Sequence, residues 1–238
     1  MSLLDLFVRP VGFFDEHPRA LEFGSAFGVV VVAGVVSTVV LLAVGRLFAT
    51  ELTATVTVEN PGRPPEAFCD GSVGGADSSL AGCEEPETVE KREGDLFWER
   101  WVEQLIFLPV GVLLVWVFYG VSLHVTSALV GGRGSFGRTL AVVAWGLLVT
   151  AVGAALATVA LAGVLAVVSA PSDLESFVDW LQTPTVQYTS IVIGVVLSLW
   201  QGYIWYGGLV RARALEPPRA AVATAIVVIL DVFWRAFA

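Results

Sequence analysis

The chain has 238 residues, 56% of them apolar and only 15% charged, with a formal net charge of −9 and a mean hydropathy of +0.78. A soluble domain of this size carries roughly a quarter charged residues, and a disordered one is poor in apolar residues, so both classes are excluded. The acidic balance argues against nucleic acid as a partner.

In chain order, Leu3–Phe14 comes first. Its apolar residues Leu3, Leu6, Phe7, Val8, Val11, Phe13 and Phe14 surround Pro10. It reads as an interfacial amphipathic segment, and an ordered tail fits nearly as well. Five apolar stretches follow, each long enough to cross a bilayer, which takes about 20 residues. They are approximately Gly24–Ala49, Leu105–Val130, Leu140–Val168, Thr185–Val210 and Ala220–Ala236. The first is too long for a cleavable signal and reads as a signal-anchor. The expected fold is therefore an all-α polytopic membrane protein with five transmembrane helices. Residues 1–23 form a cytoplasmic segment, 24–49 the first span, 50–104 an acidic β-containing insert and 105–238 the four remaining spans.

The insert explains the charge. Between Thr50 and Gln104 stand thirteen acids against Arg63, Lys91, Arg92 and Arg100, while the rest of the chain carries nine of each sign. The acidic insert and the arginine-rich, lysine-poor composition fit a salt-adapted prokaryote. The alternation Leu52-Thr-Ala-Thr-Val-Thr-Val58 predicts a strand. A returning strand or helix is expected within Val89–Trp98. Cys69 and Cys83, the only cysteines, favour a disulfide over two free thiols if the insert lies outside the cytoplasm. Closing a loop of that size is worth about 3 kcal/mol.

Orientation follows from arginines in the short loops. Arg9, Arg19, Arg133, Arg138, Arg211, Arg213 and Arg219 share one side, whereas Ser169–Pro184 holds acids alone. The N-terminus is then cytoplasmic, with the insert and C-terminus outside a plasma membrane. Trp98, Trp101, Trp180, Trp200 and Trp205 fall where interfacial belts are expected.

Several constellations carry potential chemistry. Gly132, Gly134 and Gly137 spell G-x-G-x-x-G, and Gly132–Thr139 approximates a Walker A with arginine for lysine. Both patterns require a preceding strand of an α/β unit, and here a membrane span precedes them, so no nucleotide or other cofactor is expected. Gly131, Gly132, Arg133, Gly134 and Arg138 could instead meet an anionic lipid headgroup, or simply form a basic turn. Asp231 lies about 18 Å along the last span. It is a functional candidate by position, or a structural ion pair with Arg235 at i+4, with Arg46 at similar depth. His124 and Gln201 could share a hydrogen bond between helices. No catalytic set and no metal-ligand cluster assembles at one depth. Small-residue faces at Gly24/Gly28 and at Gly153/Ala157/Ala160 predict close helix contacts, within the chain or in a homo-oligomer.

The layout resembles the Yip family of five-span membrane proteins, whose eukaryotic members interact with Rab/Ypt GTPases. The resemblance rests on Arg9-Pro10…Phe13-Phe14 and on His124 followed by Leu129-Val130-Gly131-Gly132-Arg133-Gly134-Ser135-Phe136. It continues through Thr139-Leu140 and Trp200…Trp205-Tyr206-Gly207-Gly208-Leu209…Arg211-Ala212. It implies five helices and a cytoplasmic N-terminus. The long cysteine-bearing insert and the short N-terminal segment depart from it. The expected role is non-enzymatic organisation of membrane lipids or recruitment of protein partners. The alternative is a small-solute or ion transporter, to which Asp231 and the Pro109/Gly111 and Gly194 interruptions would contribute.

Overall fold

A computed structural model describes residues 4–69, 82–168 and 170–237. Five helices are long and apolar enough to cross a membrane: α3 (Phe23–Glu51), α6 (Leu108–Leu129), α7 (Phe136–Leu165), α9 (Pro184–Ala212) and α10 (Pro217–Phe237). An apolar run in lipid satisfies its backbone only by bonding within itself, and a helix does that in one segment. Prolines open α6, α9 and α10, where a missing N–H costs nothing. Large apolar side chains such as Val35, Val39, Phe118, Leu156, Val159 and Ile229 face outward, as lipid-facing positions should.

The second span starts later than its hydropathy implies. Pro109 cannot donate to the carbonyl of Leu105, so the helical ladder breaks at Ile106–Phe107. The residues before the break form a separate amphipathic helix, α5 (Glu93–Leu105), with Glu93 and Asp95 at its positive end. α5 lies against α3. The Trp101 indole N–H donates to the Leu41 carbonyl at 2.8 Å, over the side-chain-free surface of Gly45. Trp98 and Trp101 thus belong to α5 rather than to the mouth of the span. The Arg46 guanidinium sits over the Trp98 ring at 5.7 Å.

The insert contains both a strand and its return. β1 (Thr55–Glu59) pairs antiparallel with β2 (Thr88–Arg92), with Val58 opposite Val89. A one-turn helix, α4 (Glu66–Cys69), follows β1. Cys69 and Cys83 are disulfide-bonded, with a Cα separation of 5.5 Å. The loop between the third and fourth spans holds α8 (Leu174–Leu181). Its signal is Asp173, whose carboxylate accepts from the Ser176 N–H at 2.9 Å. Phe177 of α8 is buried against Phe48 of α3, which ties the hairpin end of the bundle together.

At the opposite, arginine-rich end, the N-terminal segment forms α1 (Leu4–Val8), α2 (Pro10–Glu16) and a 3₁₀ turn (Pro18–Leu21). α1 and α2 lie lengthwise along α9, and the 3₁₀ turn packs on α3 and α7, where the Trp145 indole N–H donates to the Ala20 carbonyl at 3.0 Å. Trp200 donates to the Phe7 carbonyl at 3.2 Å and the Tyr203 hydroxyl to that of Val8 at 3.0 Å. Pro10 rests on Gly207, and Asp15 pairs with Arg211. From Trp200 to Arg211 is about 16 Å of helix, so the segment runs alongside α9. Leu6, Phe13 and Phe14 are buried in the core that α6, α7, α9 and α10 share.

The small-residue faces divide. Gly153 packs on Leu197, whereas a side chain at Gly24 or Gly28 would meet open space.

Candidate functional site

Two places gather polar groups. The first is a clasp at the arginine-rich end. Arg213 follows α9 and is only 3% exposed. Its guanidinium donates to the Ser127 hydroxyl at 3.0 Å, to the Gly132 carbonyl at 3.2 Å and to the Gly134 carbonyl. In return the Arg133 N–H donates to the Arg213 carbonyl at 2.8 Å. Burial holds the Arg213 pKa below its ordinary value. Gly134 has φ +139°, and a Cβ there would stand 2.5 Å from the Ala212 carbonyl, so glycine is required.

This geometry decides what the glycine loop does with its backbone. The amides of Gly131, Gly132 and Arg133 already bond to Ala128, Ser127 and Arg213, and two loop carbonyls face a guanidinium. These three amides form no anion cradle. The loop's outward charge comes from the side chains of Arg133 and Arg138, both exposed.

His124 and Gln201 do not meet. His124 Nδ1 lies 3.2 Å from the Thr139 hydroxyl and its ring packs edge-on to Phe136. Its surroundings are thus the clasp.

The second place is a cleft of about 550 Å³ among α6, α7, α9 and α10, lined by Tyr119, Thr150, Ser190, Gln201, Asp231 and Trp234 with apolar neighbours. Asp231 lies fourteen residues into α10, about 21 Å. It is 7% exposed and bonds across helices: Oδ1 accepts from the Tyr119 hydroxyl and Oδ2 from the Ser198 hydroxyl, the latter at 2.5 Å. Ser198 has one proton and a second acceptor, the Gly194 carbonyl, at 2.9 Å. The shorter contact is the one to Asp231. The Arg235 side chain lies outside the described residues, and Arg46 is engaged with Trp98. Pro109 opens a helix and Gly194 sits in a continuous one, so neither span is broken.

Three buried polar atoms lack a hydrogen-bond partner among the described residues: Gln201 Nε2, Trp205 Nε1 and Thr224 Oγ1. Gln201 and Trp205 both crowd Gly146, where a Cβ would lie 2.3 Å from Trp205 Nε1 and 3.1 Å from Gln201 Cγ. The Tyr119 and Trp205 rings are 5.0 Å apart.

Arg213, Tyr119 and Ser198 are among the site residues that the sequence does not mark. Tyr119 and Ser198 are uncharged, and their only signal is a hydroxyl deep inside a span. Arg213 looked like one more positive-inside arginine, and nothing local marks it as buried.

Five spanning helices, a hairpin cap and a polar cluster within the bundle define a polytopic integral membrane protein. The family pattern described as the Yip1 domain matches residues 4–234, and the chain belongs to that family. No match to it was found among curated proteins or among solved structures.

Proposed function

We propose that the protein is a non-enzymatic membrane organiser that recruits anionic lipid and protein partners at its arginine-rich end, with that end in the cytoplasm. The observation that carries this reading is the clasp. The buried guanidinium of Arg213, the glycine loop and the N-terminal helices on α9 hold a platform from which Arg9, Arg19, Arg133, Arg138 and Arg219 are exposed. Basic side chains on a preorganised surface attract anionic headgroups at about 1 kcal/mol each. His124 is paired with a threonine and a phenylalanine, surroundings that suit packing rather than proton transfer.

The experiment places the purified chain in nanodiscs of mixed zwitterionic and anionic lipid and measures which lipids co-purify. Arg133→Gln with Arg138→Gln should cut anionic enrichment roughly fivefold or more. Unchanged enrichment overturns the lipid half of the reading. A photo-crosslinker at position 138 in native membranes should capture a discrete protein, and capture of lipid alone overturns the partner half.

The cleft favours a second reading, movement of a small solute past Asp231. Flux in reconstituted vesicles that is abolished by Asp231→Asn would replace the organiser reading.

A further inference from the structure

We propose that the cleft between α6, α7, α9 and α10 binds a neutral amphiphile through an aliphatic hydroxyl group, with Gln201 at its base. Gln201 is 1% exposed, lines the cleft and leaves both N–H donors of Nε2 without a partner among the described residues. A buried amide donor without an acceptor costs about 1–3 kcal/mol, and in a bilayer no bulk water relieves it. The site therefore calls for an acceptor.

The remaining wall groups specify more. The Thr150 hydroxyl donates to Gly146 and the Ser190 hydroxyl to Gln187. Tyr119 donates to Asp231. The Thr150 and Ser190 oxygens keep lone pairs. An occupant thus meets one amide donor and, as acceptors, the Thr150 and Ser190 oxygens, which a hydroxyl answers because it accepts and donates. None of the lining residues is cationic, so a phosphate or carboxylate head would bring its charge into the span uncompensated.

The rest of the wall is apolar: Val115, Leu147, Ile191, Gly194 and the Trp234 ring. Gln201 lies eleven residues from the end of α9 and Tyr119 ten from the end of α6, about 15–16 Å, which is the middle of a hydrocarbon core about 30 Å thick. Ser190 and Trp234 stand nearer the hairpin end, and Trp234 is 73% exposed. A hydrocarbon tail can lie along these residues while its hydroxyl reaches Gln201. The volume is that of an ordinary small-molecule site. Diacylglycerols and long-chain alcohols share this chemistry.

The test uses the full chain in phosphatidylcholine nanodiscs with photoreactive diacylglycerol and long-chain alcohol probes. The O-methyl ether of each and a phosphatidic acid probe serve as controls. One hydroxyl probe should label residues of the cleft saturably, and its identity names the source. Labelling should fall about tenfold in Gln201→Leu, the weight of one hydrogen bond at a buried donor, and by a similar factor with the O-methyl ethers, which still accept from Gln201 but no longer donate to the wall oxygens, and with phosphatidic acid. Ile191→Trp, which narrows the cleft without touching its polar base, should also block labelling at an unchanged melting temperature. Equal labelling by the O-methyl probes, labelling spread over the lipid-facing helices, no labelling by either hydroxyl probe, or full labelling of both variants overturns the proposal.

Discussion

The two ends of the bundle order their loops by opposite means. At the arginine-rich end, two short connections lock each other: the 130–135 loop supplies carbonyls, the 213–216 loop supplies a buried guanidinium, and the N-terminal helices close over α9. Everything there is continuous with the core. At the hairpin end a two-stranded ribbon, marginal alone in water, stands on exposed acids and depends on a disulfide and on the packing of α5 and α8 against α3. One end is ordered by burial, which couples it to the whole bundle. The other adds a covalent link to the packing of α5 and α8, and its ribbon is the part that can separate.

The largest test of that contrast is Arg213→Met. It orphans the carbonyls of Gly132 and Gly134 and should cost about 3 kcal/mol or more of bundle stability, read as a lowered midpoint of thermal unfolding in detergent. A shift confined to the 130–135 loop would show that the clasp is decoration. Next, Cys69→Ser should cost about 3 kcal/mol, but in the hairpin alone. Amide exchange should quicken over 55–59 and 88–92 while α6, α7 and α9 stay protected. Loss of protection in the spans would join the two ends into one cooperative unit.

The smallest effect concerns α8. The Ser176 N–H holds the Asp173 carboxyl below the ordinary aspartate range, so the cap's contribution is complete above about pH 4 and fades as pH falls through the lowered value. Exchange at 174–176, corrected for its intrinsic rate, should quicken on acidification. Asp173→Asn, which caps without titrating, should remove that dependence.

The spans were legible because their apolar runs are long and bilayer thickness admits one solution. The strand at Thr55–Glu59 was legible from its alternation, and the disulfide from two cysteines in one segment. The extra helix before the second span was not, because α5 and α6 read as nearly continuous until Pro109 is given its geometric due. The glycine loop's part in the clasp is not legible in the sequence. Its residue types suggest amides facing an anion, whereas the fold engages the amides of Gly131, Gly132 and Arg133 within the chain and turns two carbonyls toward an arginine eighty residues away. Asp231 was found by position, but its companions Tyr119 and Ser198 come from other helices, and helix rotation decides which of many hydroxyls they meet.

The sequence by itself determined the class of protein, the number of spans, the location of net charge and the cross-link, since each depends on composition or on local spacing. Only the tertiary structure decided that Arg213 is buried, that the N-terminal segment lies along α9 and that a polar cleft opens beside Gln201. These depend on the rotation and depth of helices against one another, which hydrophobic content leaves undetermined when every face of a span is apolar.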